Sequence, residues 1–224
     1  MQDVVLKGMM MDYRSSEAYK TLRTNIEFSG ADKKVIVLTS CTAGEGKSTV
    51  SLAVAASLAE GGKKVLFIDA DLRKSVLAGR HRIGKNIKGL SHFLSEQAKF
   101  EDVLVKTSEP RLYAIFAGII PLNPAELLES KSFEALLRET RKVYDYVIID
   151  APPLGSVIDG AIIAKYCDAA IMVISSNTIS RKFAKDVKRQ LEKTGCPIIG
   201  VVLNKVNMKQ DKYYGKYYGK YYGK

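Results

Sequence analysis

The chain has 224 residues, 46% of them apolar, with a formal net charge of +11 and only three cysteines and two histidines. That length suits one α/β domain with a substantial core. Cys41, Cys167 and Cys196 are widely spaced with no Cys-x-x-Cys pair, which argues against a disulfide framework or zinc knuckle and for a reducing compartment.

In chain order, Met1–Asp12 lacks a basic start followed by a long apolar run, so no signal peptide is expected. Ser15–Phe28 reads as a separate helix with two serines available to cap it. Short β-branched runs follow at Val35–Leu38, Val65–Ile68, Leu112–Phe116, Tyr146–Ile149, Ala170–Ile174 and Ile198–Leu203. Their near-continuous apolar character is that of strands buried on both faces. Helical patterns lie between them. Ser48–Glu60 ends at Gly61-Gly62; Ser132–Tyr144 carries a stripe of Phe133, Leu136, Leu137, Thr140 and Val143; Phe183, Val187 and Leu191 mark another helix. Residues 79–110 look irregular and basic. Alternating strands and helices imply a mostly parallel sheet of about seven strands flanked by helices on both sides. No apolar stretch is long enough to span a membrane, so membrane attachment is expected only through a partner or surface charge. The expected organisation is a domain over residues 1–204 and a tail over 205–224.

That tail spells Tyr-Tyr-Gly-Lys three times, placing Tyr213, Tyr214, Tyr217, Tyr218, Tyr221 and Tyr222 where no apolar face can form; it is expected to be unfolded and exposed. Six lysines against one aspartate leave it at +5, nearly half the basic excess in a tenth of the chain. Such a distribution suits ATP or the inner membrane surface better than a broad nucleic-acid footprint, and no nucleic-acid partner is expected.

Three segments carry chemistry. Val35–Thr49 reads strand, glycine loop, helix, with Ala43, Gly44, Glu45, Gly46, Lys47, Ser48 and Thr49 as candidate nucleotide contacts. Glycines let backbone N–H groups turn onto phosphate oxygens at a helix N-terminus, Lys47 would reach the β- and γ-phosphates, and Ser48 would offer its hydroxyl to Mg²⁺. Position 41 is Cys where the full phosphate-loop pattern has Gly, and a small residue on a buried turn is the simplest account of it. Next, Val65–Arg73 places Asp69 and Asp71 at the end of a buried strand. A buried acid pair there is costly without a cation or Mg²⁺ nearby. Third, Tyr146–Asp150 ends in an aspartate placed to hold a metal-bound water.

These segments, in this order, resemble the bacterial tyrosine kinases, most closely the stand-alone kinases of Gram-positive capsule and exopolysaccharide synthesis, the CpsD/CapB type. The resemblance covers nearly the whole chain. Gly44–Thr49, Phe67–Arg73 and Ile148–Pro153 match the family's three nucleotide motifs, and Ala117-Gly118, Asn123–Leu128 and the tyrosine cluster match as well. It implies a phosphate-loop nucleoside triphosphatase fold of the MinD/ParA kind, ATP with Mg²⁺, and self-phosphorylation of the six tail tyrosines. By the resemblance, Lys47 stabilises the transferring phosphoryl group, Ser48, Asp71 and Asp150 serve the metal, Asp71 is the candidate base and Asp69 supports the metal shell. Arg73 steers phosphate charge or pairs with Asp71, and Asn204 resembles an adenine-reading residue. Glu17, Lys20 and Arg23 stand where the family has Glu-x-x-Arg-x-x-Arg, its ring-forming motif; Lys20 keeps the charge but not the fork. Pro121-Leu122-Asn123-Pro124 replaces the usual Pro-Pro-Asn-Pro, a mild packing change. The resemblance further implies a ring in which each subunit modifies the next, a transmembrane adaptor that activates the kinase, an opposing tyrosine phosphatase, and a cytoplasmic enzyme held at the inner face of the plasma membrane.

The alternative on the same fold is a ParA/MinD-type partitioning ATPase. Those proteins usually carry a second lysine early in the loop, where this chain has Thr42, and lack a tyrosine tail. An iron–sulfur carrier would need paired cysteines. A binding module gripping nucleic acid would need arginine-rich or stacking motifs outside the tail.

Overall fold

A computed structural model describes residues 2–6, 12–81 and 87–207. The tail tyrosines lie outside the described residues. The elements run β1 (Gln2–Val4), α1 (Tyr13–Phe28), β2 (Val35–Ser40), α2 (Lys47–Glu60), β3 (Val65–Asp69), α3 (Leu77–Arg80), α4 (Leu90–Leu94), α5 (Phe100–Val103), β4 (Val105–Thr107) and β5 (Leu112–Ile115). They continue with α6 (Pro124–Leu128), α7 (Lys131–Val143), β6 (Tyr146–Asp150), α8 (Asp159–Ala164), β7 (Ala169–Ser175), α9 (Arg181–Glu192) and β8 (Ile198–Asn204).

Among the described residues, eight strands form one sheet in the order β1-β4-β5-β3-β6-β2-β7-β8. Every pairing is parallel except β4 with β5. Successive residues of the central strands feed opposite faces. Val35, Val37, Leu66, Ile68, Val147 and Ile149 join Phe133, Leu136, Leu137, Val187 and Leu191 on the side of α7 and α9. Ile36, Leu38, Val65, Phe67 and Ile148 meet Val50, Val54, Leu58 and Ile26 on the side of α1 and α2. Covered on both faces, these strands have no polar position to spare, which is why they read as unbroken apolar runs.

The six expected strands are all present. Two short ones were not expected, β1 and β4, each three residues long. The stretch 79–110 is not simply irregular: it holds α4, α5 and β4, elements too short to show a period. In α1 the cap is Asp12, whose carboxylate accepts the Ser15 N–H at 2.7 Å, in place of the serines. In α7 the stripe is buried from Phe133 to Thr140, but Val143 is exposed at the last turn.

Candidate active site

The parallel order brings the carboxyl ends of β2, β3 and β6 side by side, where such sheets bind ligands. Asp69 and Asp150 are paired across β3 and β6 in register, so two carboxylates end adjacent strands. Both are fully buried. Beside them, the loop after β2 turns into α2 through Gly44 and Gly46, both at positive φ, with Gly46 as the helix cap. A Cβ at Gly46 would fall 2.2 Å from Asn204 Nδ2, so that position needs glycine for space as well as for conformation.

Lys47 is buried, and its ammonium donates to Asp150 Oδ1 at 2.6 Å. The Ser51 hydroxyl lies 3.0 Å from the same oxygen, and Ser48 Oγ lies 3.3 Å from Lys47 Nζ. Asp150 Oδ2 is buried without a hydrogen-bond partner. A buried carboxylate oxygen with its lone pairs unused, next to a serine hydroxyl, offers the hard oxygen donors that Mg²⁺ takes. Asp69 accepts from the Ser75 hydroxyl on Oδ2 and from the Asp71 N–H at 3.3 Å on Oδ1. Burial first, then the Asp150 charge, push its carboxyl up to about 7. Asp71, half-buried, is oriented by the Lys74 N–H at 3.0 Å.

Several sequence expectations change in detail. Arg73 does not pair with Asp71: its Nε and Nη2 form a fork on Asp159 at 2.7 and 2.9 Å. Asp159 is wholly buried at the start of α8 and was not expected as part of the site; nine residues past Asp150, it carries no local sequence signal of its own. The Glu45 carboxylate faces inward, accepting the N–H groups of Cys41 at 2.7 Å, Thr42 at 2.8 Å and Ser175 at 3.1 Å. It therefore shapes the loop from within, and only its backbone remains for a nucleotide. Asn204 Nδ2 donates to the Glu45 carbonyl at 2.9 Å and Lys205 Nζ to the Gly44 carbonyl at 2.7 Å, so the end of β8 buttresses the loop. The Thr49 hydroxyl accepts from Arg80 at 2.8 Å. Ala43 and Gly44 stand exposed on the rim. Cys41 is buried and its thiol is raised to about 11 by burial and Glu45, which fits a packing residue. Leu122 is fully exposed, so its replacement of proline is not a packing change. On α1, Glu17 and Lys20 pair with each other at 2.7 Å, and Arg23 donates to the Ser57 carbonyl at 2.8 Å, a bond within the chain.

A family model described as an AAA domain matches residues 33–194. The tyrosine-protein kinase CpsD of Streptococcus agalactiae serotype III (strain NEM316) is 42% identical over 205 residues, 92% of this chain and 88% of that protein. The chain belongs to the bacterial tyrosine kinases. Among solved structures, the chimeric protein CapA2B2 superposes with a TM-score of 0.84 at 30% identity, covering 92% of this chain and 93% of that one. The septum site-determining protein MinD from Pyrococcus horikoshii OT3 superposes with a TM-score of 0.68 at 24% identity over 79% of this chain and 72% of that one, which shows the shared fold. The protein is thus a tyrosine kinase built on a MinD-like phosphate-loop fold, and the partitioning-ATPase alternative falls away.

Proposed function

We propose that this kinase transfers the γ-phosphoryl group of ATP to the tyrosines of its own tail, and that the labelling controls a homo-oligomer serving capsular or extracellular polysaccharide polymerisation and export. The observation that carries this reading is the convergence of the Gly44–Thr49 loop, Asp69 and Asp150 at one sheet edge, from which the chain also leaves at Asn204 towards the six tyrosines.

Lys47 is the buried cation that answers charge on the transferring group. Ser48 and Asp150, with Asp71 completing the set, would hold Mg²⁺, which neutralises phosphate oxygens and fixes their geometry when bound. A phenol has a pKa near ~10, so it must be positioned and polarised in place. As its oxygen bonds to the γ-phosphorus and the bond to ADP breaks, the phenolic proton passes to Asp71. Asp69, its proton affinity raised by burial and by the Asp150 charge, would support the metal shell from the adjoining strand end. Arg73 acts through Asp159, tying the loop after β3 to the start of α8.

For assembly, Glu17 and Lys20 at the α1 surface are the contacts available to a neighbouring subunit, with Arg23 fixing α1 on α2. A ring would let each tail reach the next site. Among the described residues no helix is long and apolar enough to cross a membrane. A transmembrane adaptor would therefore bring the kinase to the inner face of the plasma membrane, and a tyrosine phosphatase would reset it.

The test is incubation with Mg·ATP and detection of phosphotyrosine, beside Lys47→Met and a chain ending at Gln210. Label only in the parent is expected. Hydrolysis with no labelled tyrosine in any form would refute the reading.

A further inference from the structure

Among the described residues, the outer face of α9 is a strongly polarised surface outside the active site. Val187 and Leu191 are buried, and the Phe183 ring lies beside Gly155, so one side of this helix rests on the core. The opposite side presents Arg181, Lys182, Lys185 and Arg189, all exposed, around one shallow hollow that Asp186 also lines. At helical spacing these four cations share one face. Arg189 has Asp186 at 3.3 Å, and Lys188 pairs with Glu192. Among the described residues, Arg181, Lys182 and Lys185 have no carboxylate partner. Three like charges left together repel one another, so the face is complementary to an anion of several charges.

The chain's own tail is such an anion only after it has been modified. Unmodified it carries +5 and is repelled by α9. Each phosphate adds about −1.5 to −2 charges, so three or four are needed to reverse its sign. It also starts close by. The Ser176 N–H donates to the Asn204 carbonyl at 2.8 Å, and Ser176 is five residues before Arg181. Tyr213 is nine residues beyond Asn204, and nine residues reach up to about 30 Å.

We propose that the outer face of α9 is a phosphotyrosine-binding surface whose occupant is the phosphorylated tail, drawn off the active site by Arg181, Lys182, Lys185 and Arg189. The proposal rests on the tail being the substrate. It makes product release directional: the tail is pushed from α9 before transfer and held there afterwards. Arginine and lysine suit this role because each donates charge-assisted hydrogen bonds to phosphate oxygens.

The experiment uses the full chain, cleared of phosphate with a tyrosine phosphatase, and a synthetic peptide of residues 209–224 carrying phosphate on Tyr213, Tyr214, Tyr217 and Tyr218, which takes it from +4 to about −2 to −4. Fluorescence anisotropy should show the phosphopeptide binding at least about tenfold tighter than its unmodified form, with affinity falling as salt is raised. The triple variant Arg181→Ala, Lys182→Ala, Lys185→Ala should lose about tenfold, while Lys182→Arg with Lys185→Arg should retain binding. Equal binding to the parent and the triple variant, or no preference for the phosphorylated form, overturns the proposal. So does pelleting of the parent, but not the triple variant, with phosphatidylglycerol vesicles that the phosphopeptide fails to displace; α9 would then be a lipid contact. Because the peptide is synthesised with its phosphates, this readout is independent of self-modification. An unlabelled tail in the mass spectrum of the Mg·ATP-treated chain would sink the autophosphorylation reading and leave the binding result standing.

Discussion

Asp150 faces Lys47 on one oxygen and nothing on the other, and that asymmetry makes its neighbours sensitive to charge. Asp69 is the clearest case. With its carboxyl raised to about 7 in the folded chain from an ordinary 3.8, the folded state holds a proton between those limits that the unfolded chain releases. This site therefore favours folding at the acid end and loses that contribution as pH rises through about 7. Urea midpoints measured from pH 4.5 to 8 should show a downward slope with rising pH that Asp69→Asn removes. Arg73 gives a second prediction. Arg73→Ala leaves the Asp159 carboxylate buried without its fork; the half-open Arg73 end reduces the full buried-pair cost to about 2 kcal/mol. Arg73→Lys should recover less than half of that stability in urea unfolding, because an ammonium cannot span both oxygens.

The strand–loop–helix unit of β2, the glycine loop and α2 is held from two directions, by Glu45 inside and by the end of β8 outside. Glu45→Ala would orphan the N–H groups of Cys41, Thr42 and Ser175 at once. At about 1 kcal/mol or more for each unsatisfied buried donor, the loss is on the order of 3 kcal/mol, measurable by urea unfolding, with weaker ATP binding in calorimetry. Gly46→Ala should abolish ATP binding with a small change in overall stability, since its Cβ displaces Asn204 from the loop and its φ of +85° disfavours any side chain. Asn204→Ala, which relieves that clash, should partly restore binding when combined with Gly46→Ala. Independent effects in the double variant would show that Asn204 does not couple to the loop.

At the scale of the whole molecule the controlling quantity is charge. Six phosphates would take residues 205–224 from +5 to about −4 to −7. Light scattering should report a smaller mass for the phosphorylated chain than for the phosphatase-treated one if this reversal loosens an assembly. Equal masses would show that tail charge does not set the oligomeric state. Glu17 and Lys20 already satisfy each other within one helix, and Arg23 is spent on Ser57, so any contact between subunits through α1 must exchange or add to these bonds.

The central architecture was legible from the amino-acid order, because strands covered on both faces must be apolar at every position; the six expected strands and the helices starting at Lys47, Lys131 and Arg181 stand where the pattern placed them, although β8, at the sheet edge, leaves Val201 and Leu203 exposed and is not buried on both faces as expected. The glycine loop and the two terminal aspartates were legible for a related reason: phosphate chemistry at a strand end needs those residue types at fixed spacing. Short elements such as β1, β4, α4 and α5 were not, since three strand residues or a single helical turn are too few to establish a pattern. Nor could spacing along the chain show that Asp159 would meet Arg73, that Glu45 would turn inward, or that Arg23 would cap α2. Those are contacts between residues 86, 130 and 34 positions apart. A local pattern records which face of an element is buried; which polar groups are left facing each other depends on the order in which the strands assemble, and that only the tertiary structure decides.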